Sequence, residues 1–459
     1  MTTSPLANPS FCRLFVAHVC SLLGVGLLTV ALSLAAYRIG GAAAGGQVLG
    51  LLLALKMVAY VVLAPLAETL LANVSRKGSM VLLDLGRMLL LLPMAFVTEI
   101  WQVAALAFAF FVLAAGFTPL FQSVIPNLLP EEETYTKALA WSRIAYTLEA
   151  VLSPAIAAVM LNLVAAEVLF YAAALAFSGS VMALMMTRFP ARAQVDIKGP
   201  FLKRAGRGLW IYRQTPRLQG VFLLNFALSL AMAWVLVNSV VFAGERLGDA
   251  EVYYPVLMAC YGIGAIIGAV GVPRLIGRVG ERTVMVSGAF GFAAVGAGFA
   301  LLPLVQLPVL VGVWMAFGFA SSLVLTPGAL VITRSVARGG RSSVFAAQFS
   351  LSHAGWLIAY PLAGWLASYV SLELALLLLS AACAIVASIG VMVWPANDPL
   401  ERTHSHPKLL VDHPHLTQVP ASGARHQHVH VFHIDDLHPT WPERVVYLKL
   451  ATRLRRLSG

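Results

Sequence analysis

Six charged residues lie inside otherwise apolar runs of this 459-residue chain: Lys56, Glu68, Asp84, Arg87, Arg143 and Glu149. A charge at membrane depth costs about 3 kcal/mol by insertion scales, so such a residue faces a cavity or a partner. Positive and negative members are equal in number, so internal pairing can neutralise the set. Asp84 and Arg87 are spaced i,i+3, on one helical face, and read as a structural ion pair. Glu149 reads as the candidate proton carrier. It is a mid-depth carboxylate about a turn before Pro154. Desolvation and the Lys56 cation pull its proton affinity in opposite directions, as a carrier requires. The competing reading is a fixed pair of Glu149 with Lys56 or Arg143. His18 and His353 also lie in apolar runs. Each is of the type that protonates near neutral pH or binds a metal. A lone His in a helix bundle more often bonds a neighbour.

The other histidines gather near the C-terminus. Nine of 11 fall in one short stretch: His404, His406, His413, His415, His426, His428, His430, His433 and His438. Several are spaced i,i+2, which puts them on one face of an extended chain. Asp412, Asp435 and Asp436 add oxygen. Imidazole with carboxylate and without thiolate suits Ni(II), Zn(II), Co(II) or Cu(II). The signal is compositional, and a solvated tail without a metal is its alternative. No resident cofactor is expected. No nucleophile–base constellation, phosphate loop or metalloprotease motif is found, so catalysis is not indicated. "YGIGAIIGAVG" has a misplaced third Gly and no strand before it, so it reads as close helix packing.

The elements that must position these groups are helices in a membrane. The chain is 59% hydrophobic and 11% charged, whereas soluble domains are about a quarter charged. Twelve spans can be drawn: 12–37, 47–71, 79–98, 101–124, 137–162, 166–187, 218–243, 252–272, 283–303, 306–331, 344–369 and 372–394. The apolar runs are continuous, unlike the alternating strands of a membrane barrel. With the N-terminus cytoplasmic, 26 of 31 Lys and Arg fall in cytoplasmic segments and only Arg38 and Arg246 outside. That asymmetry is the positive-inside rule, and it puts both termini in the cytoplasm. The basic loops face anionic lipid headgroups, and nucleic acid is not needed to explain a net charge of +11.

Six spans precede and six follow a basic segment at 188–217, whose "FLKRAGRGLWIYRQTPRL" reads as an amphipathic surface helix. The expected division is a first bundle at 1–187, this linker, a second bundle at 218–395 and a tail at 396–459. The tail is polar and too short for a robust core. The halves are similar: "VLSPAIAAVML" matches "IAYPLAGWLAS", with Pro154 and Pro361 in corresponding places as helix bends. Such repeats are the plan of many transporters.

The chain resembles the major facilitator superfamily over about residues 11–395, most closely its exporter branch with enterobactin-exporter-like proteins. "SLLGVGLLTVALSLAAYRIGG", "LKMVAYVVLAPLAE", "VIPNLLPEEETYTKALAWSRIAYTLEAVLSP" and "GLWIYRQTPRLQGVFLLN" carry the likeness. The family's loop motif between spans 2 and 3 is worn. Glu68, Ala72 and Asn73 stand where Gly, Asp and Arg would, and Arg76 and Lys77 remain. The copy between spans 8 and 9 keeps Arg278, Gly280 and Arg282, with Gly277 in place of Asp. The span-4 Arg of proton-driven drug exporters is absent, and the span-5 proline motif survives only as Ser153–Pro154. Nickel-resistance exporters of this branch are similar in having a His-rich cytoplasmic C-terminus.

The expectation is therefore an all-α, inner-membrane secondary transporter, not an enzyme. It exports by alternating access in exchange for protons. The cargo is a transition-metal ion such as nickel or its small chelate. The alternatives are a small organic compound, such as a drug or siderophore, and a membrane metal sensor that moves nothing.

Overall fold

The computed structural model describes residues 4–63, 75–129, 131–189, 201–337, 341–405 and 427–442. Helix α1 (Pro9–Val58) starts where the Asn8 side chain accepts the amides of Ser10 and Phe11, with Pro9 in the first turn. Fifty residues would make a straight rod of about 75 Å, far beyond a hydrocarbon core of about 30 Å. The rod does not form, because the chain reverses at Gly41 (φ 60°), a conformation that glycine adopts without a Cβ penalty. Gly40 then lies against Gly45, so close that a Cβ on Gly40 would stand 2.7 Å from the Gly45 nitrogen. Spans 1 and 2 are thus one folded-back unit. It continues into a wider, π-type turn at Ala59–Leu63.

Helices α2 (Arg76–Met94), α3 (Ile100–Leu128), α4 (Glu132–Leu161) and α5 (Val168–Met186) complete the first half. The amphipathic linker forms as expected, as α6 (Phe201–Gln214). The second half holds α7 (Pro216–Leu247), α8 (Ala250–Leu301), α9 (Leu307–Leu325), α10 (Gly328–Ser335), α11 (Arg341–Tyr369) and α12 (Leu372–Val393). Helix α8 doubles back at Gly280 (φ 80°) and holds spans 8 and 9. Thr326 and Pro327 separate α9 from α10, which together form span 10. Seven helical stretches are long and apolar enough to cross a membrane, and two of them are the doubled helices. With the more polar α2, α4 and α11 the spans come to twelve, and the architecture is the expected all-helical membrane bundle.

The apolar core is arranged unevenly. One large cluster joins both halves, from Leu34 and Leu49 in α1 to Trp234 in α7 and Tyr254 in α8. It lies toward the end where the turns are short. There, Tyr254 donates to Ser33 across the halves at 2.9 Å. A Cβ on Gly50 would stand 2.7 Å from the Tyr360 carbonyl oxygen, beside Pro361. Gly46 and Gly364 form the next contact on this seam. At the opposite end, which bears the basic loops, the core is split among the described residues. Phe11, Met80, Phe121 and Ala183 form a cluster within the first half. Ile211, Leu218, Ile332 and Val344 form another within the second.

The tail departs from expectation. Strand β1 (Glu401–Ser405) pairs antiparallel with β2 (Gln427–Val431). Phe432, Ile434 and Trp441 join the second half's cluster against α6, α7, α10 and α11. Arg217 of α7 and Arg402 of β1 share Asp398, and both guanidinium groups lie over the Trp441 ring, at 5.4 and 4.8 Å. Composition alone reads this tail as solvated. The bundle lends it the apolar surface that it could not supply itself.

Candidate functional site

The six-charge set resolves into two arrangements. Asp84 and Arg87 are fully buried and form an ion pair on α2. Ser180 of α5 donates to the Asp84 carboxylate at 2.5 Å. The Arg87 guanidinium lies between the rings of Phe117 and Phe177, 4.5 and 4.7 Å from their centroids. The pair thus ties α2 to α3 and α5. It is closed from water, as a structural pair should be.

Lys56 and Glu149 are arranged otherwise. Each is only half-buried. Lys56 points among aromatic rings, with Nζ 5.8 Å from the centroids of both Tyr60 and Phe111. Glu149 faces α1, and a Cβ on Gly26 would come within 2.5 Å of its Oε1. That glycine gives the carboxylate its room, next to buried Ser153 and Pro154. Lys56 is near enough for its charge to act on Glu149. The two therefore share a space between α1 and α4 without being sealed together. Tyr60, four residues after Lys56, lies in the π-type turn, a feature frequent at functional sites. Its ring is 5.5 Å from that of His353 in α11, so this space is bounded by both halves. Tyr60 and Ser180 were not among the sequence candidates. Tyr60 had a usable signal, its i,i+4 spacing from Lys56, while Ser180 had none.

His18 behaves differently from the expected hydrogen-bonded histidine. It is buried, stacks flat on Phe121 at 3.9 Å and meets Tyr146 edge-on at 5.2 Å. Neither ring nitrogen has a hydrogen-bond partner among the described residues. Arg143 lies on α4, with its side chain outside the described set, and Glu68 lies outside it entirely.

The worn loop motif retains a physical task. Lys77 donates to the carbonyls of Met185 and Thr187, at the C-terminal end of α5. Arg282 donates to those of Val391 and Trp394, at the C-terminal end of α12. A cation at a helix C-terminus satisfies orphan carbonyls and opposes the helix dipole. The two sites occupy the same place in the two halves, which is direct structural support for the repeat. Arg76 opens α2, Arg278 is exposed, and Gly280 makes the turn.

In the tail, His404 and His428 are paired directly across the two strands, and His430 is opposite Arg402. His438 is buried, with Nδ1 2.8 Å from Asp435. Burial disfavours the charged Asp435 carboxylate, but hydrogen bonds from His438 and Leu437 outweigh it and hold its pKa at about 2. Burial also lowers the pKa of His433. His406, His413, His415 and His426 lie outside the described residues. Among the described residues, no three His, Cys, Asp or Glu gather as a metal site.

Solved structures share this architecture. The nucleoside transporter NupG matches at 13% identity and TM-score 0.67, covering 84% of this chain and 98% of its own. A bacterial homolog of the human lysosomal transporter Spinster, inward-facing and unoccupied, matches at 14% and 0.63, covering 86% and 97%. A D-xylose–proton symporter matches at 11% and 0.63, covering 85% and 97%. At such identities the likeness is one of fold. A search of curated proteins finds no matching relative. The profile of the Major Facilitator Superfamily matches residues 14–306 and 221–423. The doubled six-helix plan, the repeated helix caps and this match together make the chain a member of the Major Facilitator Superfamily, a multi-pass membrane transporter and not an enzyme.

Proposed function

We propose that the chain is a proton-coupled exporter of the inner membrane, with Glu149 as proton carrier and Lys56 as its counter-charge. The observation that carries this reading is the contrast between two acidic residues inside the spans. Asp84 is locked to Arg87, while Glu149 and Lys56 keep access to a space bounded by both halves. A carrier must meet solvent and must not be permanently paired. The core, continuous at one end and split at the other, suits a bundle that rocks about a central site. The basic loops support a cytoplasmic position for the split end, by the positive-inside rule. In this reading Glu149 takes a proton from outside, the halves rock, and cargo and proton exchange places.

The cargo reading is a transition metal within a small chelate. The His-rich composition of the tail, whose residues Phe432, Ile434 and Trp441 pack beside α6 and α11, supports it as a collecting or sensing accessory. A bare dication is less suited to a site that includes the Lys56 ammonium, since it needs compensating ligands. A second reading, a metal-free organic compound, is supported by the aromatic rings around Lys56.

The test is a resistance panel with Ni, Co, Zn, Cu and several drugs, repeated on a chain truncated after Pro399. Metal protection that weakens on truncation supports the metal reading, and drug protection indifferent to truncation sinks it. In proteoliposomes Glu149→Gln should abolish uphill export and leave exchange. Unchanged uphill transport removes Glu149 from the role, and no transport by the unaltered chain favours a sensor.

A further inference from the structure

Helix α11 carries a row of rings at Phe345, Phe349, His353, Trp356 and Tyr360. At 3.6 residues per turn these fall within an arc of about 80°. The row faces the first half, since His353 meets Tyr60 and the Tyr360 backbone meets Gly50. Its exposure changes along the helix. Phe345 and Phe349 are 38% and 41% exposed, His353 and Trp356 are half-buried, and Tyr360 is 8% exposed. The wall is therefore open at the basic-loop end and closed at the seam. Rings on such a wall are costly to leave wet, and they suit a flat apolar ligand.

His353 is the row's polar member. Its Nδ1 lies 2.7 Å from the Phe349 carbonyl oxygen. A carbonyl can only accept, so Nδ1 carries the proton and Nε2 presents a lone pair. The ring is held in place by Phe349, 3.9 Å away centroid to centroid. Across the gap, Lys56 and Glu149 offset one another, so the site asks for no net charge.

We propose that this face of α11 is one wall of the cargo site, and that His353 Nε2 accepts a hydrogen bond from a planar aromatic ligand bearing an O–H or N–H donor. The inference rests on the transporter reading with an organic compound as cargo, and assigns that cargo a chemical class. It makes His353 a specificity-determining residue contributed by the half that carries no mid-depth charge.

The experiment uses the full chain in lipid nanodiscs with two probes, 7-hydroxycoumarin and its methyl ether, 7-methoxycoumarin. These differ by one donor. The unaltered chain should bind both saturably and prefer the hydroxyl form about fivefold, the scale of one net hydrogen bond. His353→Gln places an acceptor where Nε2 stands and should keep most of the preference. His353→Asn places its amide where Nδ1 stands, can still donate to Phe349, and should lose it. Trp356→Leu should weaken both probes about threefold and leave the preference intact. Preference surviving in His353→Asn, or lost alike in both His353 variants, overturns the Nε2 assignment. No saturable binding by the unaltered chain overturns the ligand class. Saturable, donor-selective binding without any flux in proteoliposomes would instead sink the exporter reading and leave this site standing.

Discussion

The two halves share a plan and differ in chemistry. The first holds every charge set more than a turn inside a span: Lys56, Asp84, Arg87, Arg143 and Glu149. The second has its buried ion pair, Arg217–Asp398, at the basic-loop end, and its polar contacts deeper in the bundle are neutral. Trp234 donates to the Leu372 carbonyl at 2.8 Å, Trp314 to Ser239 at 3.0 Å and Tyr261 to Ser321 at 2.9 Å. Its ring cluster of Trp234, Phe242, Phe299 and Trp314 is packed around these bonds. A neutral buried hydrogen bond contributes about 1 kcal/mol, and breaking it is a modest loss. A buried charge is costly unless its partner is in place. The difference teaches that the charges set deep in the spans are confined to one half, while the other offers a neutral counter-face and, in α11, a row of rings. Only the shared devices are symmetric. Lys77 and Arg282 cap equivalent helices, and Gly41 and Gly248 turn equivalent corners with φ of 60° and 83°.

This contrast can be broken in order of effect. Arg87→Met alone leaves Asp84 buried without its cation and should cost about 3–5 kcal/mol, whereas Asp84→Leu with Arg87→Met should be close to neutral. Thermal unfolding of the detergent-solubilised chain, followed by tryptophan fluorescence, measures both. A single variant as mild as the double one would mean the pair is not sealed. Next, Gly364→Ala places a methyl against the Gly46 carbonyl on the seam between halves. Overpacking there should cost about 2 kcal/mol and hinder closure of that end. A cysteine at Ser33, now under Tyr254, should then label faster with a membrane-impermeant maleimide. Unchanged labelling would remove the seam from the closing mechanism. The smallest effect is expected for Trp314→Phe, which deletes one neutral bond in the second half and should cost about 1 kcal/mol. A cost rivalling Arg87→Met would erase the distinction between the halves.

Much of the bundle was legible because a membrane forces it. Continuous apolar runs of sufficient length have few alternatives to helices, and the basic linker marked the division between halves. The Asp84–Arg87 pair was legible too, because i,i+3 spacing sets a contact within one helix. The setting of His353 was not. It depends on Tyr60, nearly 300 residues away, and on a bond to Phe349 that fixes the ring's tautomer. The i,i+4 recurrence of rings on α11 was visible, but a helix's pattern does not say whether a face meets lipid or another helix. The surroundings of His18 were not legible for the same reason. Its type suggested a bonded neighbour, and packing gave it two rings instead.

By itself the sequence determined the class of protein, the number of spans, the linker helix and the few charges worth watching. These follow from hydropathy and from spacing along one helix, which are local quantities. The tertiary structure alone decided which carboxylate is locked and which stays accessible, that the described parts of the polar tail fold onto borrowed apolar surface, and that the described core joins the halves at one end and is divided at the other. Those are sums of contacts between segments distant in the chain, and no local period encodes them.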